Sequence, residues 1–189
     1  FAPLEFGTAG LRGTMCVGLH QMNIHVIRWA TQGFANVICA EGEEAKRRGV
    51  ALCMDCRNHS MEFARAAAEV CAANGIHVRI FDELRPTPEL SFAVREYHCQ
   101  AGINITASHN PKEYNGYKVY WEDGAQLPPQ HADAIAAELA VVEPLDGVID
   151  IQAVLGLGGG LDVPNDELFA QGLGDGVGQH GFAGAGFPL

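Results

Sequence analysis

The sequence predicts an α/β fold, a mainly parallel mixed sheet flanked by helices, on three observations. Short apolar runs suited to strands buried on both faces alternate with helical segments of about ten residues or more. Cap and turn residues fall between them. The chain of 189 residues, 48% apolar and 19% charged, is long enough for one α/β core and too short for a large multidomain enzyme.

The elements follow in order. Over residues 22–40, Ile24, Ile27, Thr31, Phe34 and Ile38 recur at helical spacing, predicting a first helix despite the weak helix former Gly33. Residues 49–54 form an apolar run that reads as a buried strand, ended by Asp55. Ser60 is placed to cap an Ala-rich helix over 61–73, which Asn74-Gly75 stops. A second strand is expected over 76–81. Thr87-Pro88-Glu89 supplies a cap, a first-turn proline and an acid for a helix through about Tyr97. Strands are expected over 101–105 and 117–121, the second entered through an Asn115-Gly116 turn. After Pro128-Pro129 comes a last helix over 130–142, with Ala134, Ile135, Glu138 and Leu139 near one face. Parallel strands joined by right-handed crossovers place ligands beyond their carboxyl ends, so the loops after Met54, Phe81 and Ile105 should share one edge.

Charge divides the chain. All twelve Lys and Arg lie at or before Lys118, balanced by twelve Asp and Glu; the remaining eleven acids carry the whole net charge of -11. Nucleic acid as a partner is excluded, because phosphate neutralisation needs clustered cations and Lys46-Arg47-Arg48 is the one basic run, read as a solvated helix end. No apolar run approaches the roughly eighteen residues of a membrane span, and no secretory signal is expected. Six scattered cysteines suit a reducing, cytoplasmic setting. Because the chain begins at Phe1, its natural start is expected upstream. One domain is expected over 1–145. Residues 146–189 are expected to be an acidic, irregular tail, since 11 of the last 34 residues are glycine and ordering them recovers little burial.

Chemistry concentrates in two segments. In Thr106-Ala107-Ser108-His109-Asn110-Pro111 a buried strand breaks into a small-residue loop that lifts Ser108 to the ligand edge. It is either an ordinary polar turn or a nucleophile site. A serine hydrolase would want Gly-x-Ser-x-Gly, which is absent. Phosphoryl transfer needs an exposed hydroxyl and nearby cations, which His109, Lys112 and Lys118 could provide. In Gly7-Thr8-Ala9-Gly10-Leu11-Arg12-Gly13, glycines spaced by three could let amides curl around an anion while Arg12 forks onto it; the alternative is an entry segment without a ligand. Cys53-x-x-Cys56-x-x-His59, with Cys71 and His98-Cys99, is an incomplete zinc pattern.

Residues 6–13, Asp55-Cys56-Arg57, the segment 84–90 beginning Leu84-Arg85-Pro86-Thr87-Pro88, the segment 106–111 and Asn115-Gly116-Tyr117-Lys118 together resemble the first domain of the α-D-phosphohexomutase superfamily, over about residues 4–142. Leu127-Pro128-Pro129 following 122–126 resembles its phosphoglucomutase and phosphopentomutase branch. The resemblance implies that Ser108 is carried as phosphoserine, gives its phosphoryl to a sugar monophosphate and recovers one from the resulting bisphosphate. It implies Mg²⁺ on the phosphoserine oxygen of Ser108, with Arg12 and Lys118 as acid/base or charge-stabilising groups and His109 and Asn110 shaping the loop. Thr8, Gly10, Arg12, Asn110 and Lys118 are the expected phosphate-side residues. The family has four domains, and the three-carboxylate metal loop of the second has no counterpart here, because Gly174-Asp175-Gly176-Val177-Gly178 offers one carboxylate. The chain is therefore expected to be a fragment or truncated product whose partners are the missing mutase domains, and to be inactive alone. The alternatives are a non-catalytic phosphate or phosphosugar-binding module and a zinc-stabilised interaction domain.

Overall fold

The computed structural model describes residues 3–142. Their elements are β1 Leu11–Thr14, α1 Ile24–Ala40, α2 Glu43–Arg48, β2 Val50–Met54, α3 Ser60–Ala73, β3 Val78–Ile80, α4 Thr87–Glu96, β4 Ala101–Ile105, β5 Tyr114–Trp121 and α5 Pro129–Val141. The tail expected over 146–189 lies outside the described residues.

One five-stranded sheet runs in the order β1-β5-β4-β2-β3. The β2 strand pairs in parallel with β3 and β4, whereas β5 is antiparallel to both β4 and β1. Four strands thus run one way against β5, the mixed, mainly parallel sheet expected. The carboxyl ends of β2, β3 and β4 share an edge, at which β5 begins.

All five residues of β2 and all five of β4 are buried. Side chains alternate across a strand, so each strand feeds two apolar layers. Val50, Leu52 and Met54 join Ile103, Ile105, Tyr117 and Val119 under α1 and α3, whose Ile27, Phe34, Ile38, Phe63 and Ala67 close that layer. Ala51 and Cys53 face the smaller layer of Leu90 and Val94 from α4, with Cys99 and Tyr120. Ala132, Ile135 and Leu139 carry α5 onto the larger layer. These three, rather than the expected set with Ala134 and Glu138, form its buried face.

Several local expectations are corrected. Ser60 is the first residue of α3, not its cap, because its buried hydroxyl donates to Asp55 Oδ1 at 2.9 Å. Thr87 begins α4 without capping it, since its hydroxyl accepts from Asn104 Nδ2 at 2.8 Å. The second expected strand shortens to the edge strand β3. Arg48 is not simply solvated: it donates to the carbonyls of His98 and Cys99 and pairs with Glu122, tying α2 to both ends of the β4–β5 region.

Asn115-Gly116 is no turn but the interior of β5. Asn115 is buried and donates to Asn58 O and Ser60 Oγ. A Cβ on Gly116 would lie 2.6 Å from Thr106 O and 3.0 Å from Leu11 O. Glycine is required there by close approach of the neighbouring backbones. The β1 strand, which no apolar alternation announced, exists because β5 offers it an antiparallel edge.

Gly33 shows the same logic in a helix, where a Cβ would lie 2.6 Å from Leu139 Cδ2 and 2.9 Å from its Cγ. Intrinsic propensity alone would make Gly33→Ala stabilising by about 1 kcal/mol. Overpacking against α5 costs roughly 1–3 kcal/mol, so the substitution is expected to lower the urea unfolding midpoint. An unchanged or raised midpoint would show that Leu139 swings aside at no cost.

Candidate functional site

The segment between β4 and β5 leaves the sheet at the carboxyl edge. Thr106 and Ala107 remain buried, Ser108 and His109 are exposed, and Asn110 is half-buried. Ser108 adopts φ 57, one of three non-glycine residues with positive φ among those described. That conformation costs a side-chain-bearing residue roughly 1–2 kcal/mol, so neighbouring bonds must hold it. The Ser108 amide donates to Thr106 Oγ1 at 3.0 Å, and the Asn110 amide donates to Ala107 O at 3.1 Å. His109 Nδ1 stands 3.4 Å from Ser108 Oγ, at the outer limit of a hydrogen bond.

Arg12 on β1 donates from Nη1 to Asn110 Oδ1 at 3.1 Å. The pairing of β1 with β5 makes this possible, by placing Arg12 opposite Gly116 at the loop's base. Lys118 lies opposite Asn104 in the β4–β5 pair. Directly opposed residues of an antiparallel pair share a face, so the lysine is on the Asn104 side of the sheet. Asn104 is buried, and its Oδ1 has no partner among the described residues. Burial lowers the Lys118 pKa below the ordinary 10.5; the Arg12 charge lowers it further and Asp55 opposes the shift. Ser108, His109, Asn110 and Arg12 are thus directly linked, and Lys118 is coupled to Arg12 through charge.

The anion cradle expected from the first glycine segment is modified. Gly7 and Gly10 bond to each other, with Gly10 N donating to Gly7 O at 2.7 Å and Gly7 N to Gly10 O at 3.3 Å. Their amides are committed, and Thr8 is exposed in the turn between them. Gly10, at φ 72, is required instead by close approach: a Cβ would lie 1.8 Å from Tyr117 O.

Residues around Arg57 received no role from the sequence. Asp55 and Arg57 follow the end of β2, and the Asp55 amide donates to Ile105 O at 3.1 Å. Asp55 Oδ1 accepts from the Arg57 amide and from Ser60 Oγ, which in turn accepts from Asn115 Nδ2. The Arg57 guanidinium reaches into the serine loop and donates to three of its carbonyls and to that of Tyr114 at the start of β5. The available signal was an Asp-x-Arg pair at the carboxyl end of a fully buried strand.

The zinc pattern does not assemble. Cys53 is buried in β2, its thiol donates to Arg85 O at 3.0 Å, and burial pushes its pKa up to about 12. Burial also pushes Cys71 upward, the wrong direction for a thiolate ligand. His59 pairs with Glu62. No group of three or more His, Cys, Asp or Glu among the described residues is placed to hold a metal. All six cysteines are free thiols. Among the described residues no helix is long and apolar enough to cross a membrane.

Residues 3–144 match the phosphoglucomutase/phosphomannomutase family, alpha/beta/alpha domain I. The chain is 43% identical over 141 residues to human phosphopentomutase, covering 71% of this chain and 23% of that protein. It is 41% identical over 140 residues to phosphoglucomutase of Staphylococcus saprophyticus, covering 74% of this chain and 25% of that protein. The open form of the Paramecium phosphoglucomutase parafusin superposes with a TM-score of 0.62 at 25% identity, covering 75% of this chain and 26% of that one. The chain therefore spans about a quarter of the length of these relatives.

The lowered Lys118 pKa is open to measurement. Titration by NMR at the Lys118 side chain should give a midpoint below 10.5, and Arg12→Met should raise it only part of the way, since burial is the larger cause. The folded chain binds this proton less readily than the unfolded chain does. The associated stability is therefore complete above pH 10.5 and is lost as pH falls through the lysine's own lower pKa. A midpoint at or above 10.5 would contradict this environment.

Proposed function

The chain belongs to the phosphoglucomutase/phosphomannomutase family as its α/β/α domain I, and from that premise we propose that it is the phosphoserine-bearing domain of a sugar-phosphate mutase. The observation that carries the reading is an exposed hydroxyl on a left-handed residue, Ser108, at the sheet's carboxyl edge, in a loop tied to Arg12.

In the proposed cycle phosphorylated Ser108 faces a sugar monophosphate. The bond from phosphorus to Oγ breaks as a bond from a sugar hydroxyl oxygen to phosphorus forms; the sugar hydroxyl proton passes to a base and the departing Oγ takes up a proton. The bisphosphate then reorients, and its other phosphoryl returns to Ser108 Oγ, which gives up that proton as the sugar oxygen regains one. Atoms balance and the net change is an isomerisation. Lys118 is the proposed proton carrier, since an amine with a lowered pKa gives up and regains its proton more readily near neutrality. Arg12 supplies fixed charge against the dianion. His109 and Asn110 shape the loop. Thr8 and Asn110 are assigned to the phosphate side, with Gly10 serving by bringing β1 against β5.

Mg²⁺ would increase electrophilicity at the transferring phosphoryl. The described residues fit it poorly on their own: the phosphoserine of Ser108 offers oxygen, but no carboxylate cluster stands ready to complete a shell. No step is assigned to it. The remaining ligands and substrate contacts are assigned to further domains, and free cysteines suit the cytoplasm as compartment.

Incubation of the 189-residue chain with glucose 1,6-bisphosphate and Mg²⁺, followed by mass spectrometry of the tryptic peptide spanning 96–112, should show one added phosphoryl on Ser108, and Ser108→Ala should show none. Failure of the parent chain to take up phosphoryl would favour the non-catalytic phosphosugar-binding module.

The chain alone should not interconvert glucose 1- and 6-phosphate at the usual enzymatic turnover of about 1–1000 per second, because positioning of the substrate is left incomplete. Turnover in that range in a coupled assay would refute this expectation.

A further inference from the structure

Arg57 has five N–H groups, and each faces an oxygen. Nη1 donates to Pro111 O at 2.8 Å and Tyr114 O at 3.0 Å, and Nη2 donates to Ser108 O at 2.8 Å and Asn110 O at 2.7 Å. Nε lies 3.3 Å from Asp55 Oδ2. A guanidinium carries five donors and no acceptor, so none remains for a phosphate oxygen. Among the described residues Arg12 donates one hydrogen bond, to Asn110, and keeps donors for an anion. The two arginines of the site therefore have different employments.

We infer that Arg57 is a positioning residue: it holds Ser108 in its left-handed conformation by fixing the carbonyls of Ser108 and of Asn110, and so sets where the hydroxyl stands without touching the reacting groups. The clamp is anchored outside the loop. Asp55 holds Arg57, Ser60 of α3 donates to Asp55, and Asn115 of β5 donates to Ser60. Lysine would present its donors from a single nitrogen and could not span four carbonyls across the loop. The effect on phosphoryl transfer rests on the proposed function; the effect on loop conformation does not.

The test uses the full 189-residue chain with Arg57→Ala and Arg57→Lys. Loop order is read by tryptic cleavage after the exposed Lys112 and by the Ser108 amide-to-α-proton coupling in NMR. Transfer is read as the rate of phosphoryl uptake on Ser108 from glucose 1,6-bisphosphate. Cleavage after Lys112 should accelerate by about tenfold or more while cleavage at Arg65, within α3, keeps its rate, and uptake should fall by on the order of a hundredfold. Millimolar guanidinium should restore part of both in Arg57→Ala, and Arg57→Lys should not match the parent. A purely structural loss of the fold would raise cleavage at Arg65 as well and would not respond to guanidinium. Should Arg57→Ala fail to fold, Arg57→Lys decides by the same readouts. Unchanged cleavage and coupling at the loop in a folded variant overturn the inference. Absence of uptake in the parent chain overturns the mutase reading instead, and loop cleavage still decides the role of Arg57.

Discussion

A loop that leaves a sheet takes its carbonyls out of the ladder, and carbonyls that lose one partner need another. Between β4 and β5 three of them, together with the carbonyl of the first β5 residue, find it in one guanidinium, whose planar fork distributes donors over Ser108, Asn110, Pro111 and Tyr114. Arg57 is only slightly exposed, with 12% of its side-chain surface accessible. Hydrogen bonds to a charged donor are stronger than neutral ones, contributing roughly 1.5–3 kcal/mol each in proteins. This is the scale needed to oppose the left-handed backbone of Ser108, and it explains how that hydroxyl can be exposed on a turn yet held in place.

Charge around the loop is organised in two layers. The Asp55–Arg57 pair balances itself within the scaffold. Arg12 and Lys118 add positive charge on neighbouring strands, and their mutual repulsion with burial makes Lys118 easier to deprotonate. In the absence of an anion such an arrangement is electrostatically uncomfortable; a phosphoryl dianion would relieve it. Under the proposed function, that is stability exchanged for a site prepared for negative charge.

Three glycines reveal how closely the framework is packed where the site is built. Gly10 and Gly116 allow β1 and β5 to meet at the base of the serine loop, and Gly33 lets α5 lie on α1. Read locally, Gly10 suggests an anion-curling or entry segment, Gly116 a turn and Gly33 a weak point in a helix. Each is explained by what approaches from a distant part of the chain. The Asn115 beside Gly116 behaves likewise, serving as a buried cross-link to α3 instead of a turn residue.

Hydrophobic runs and periodicity by themselves determined β2, β4, α1, the body of α3 and the sheet edge where Ser108 emerges, because those features arise from burial patterns contained in consecutive residues. The motif order also disclosed the family and the candidate nucleophile. Only tertiary structure decided that β1 is a strand, that the hydroxyls of Ser60 and Thr87 accept from Asn115 and Asn104, and that Arg57 grips the loop. These outcomes depend on contacts across some tens of residues, as with Arg57 and Ser108 at a separation of 51, and a side chain's choice between a local and a remote acceptor is settled only once folding has brought the remote one within reach.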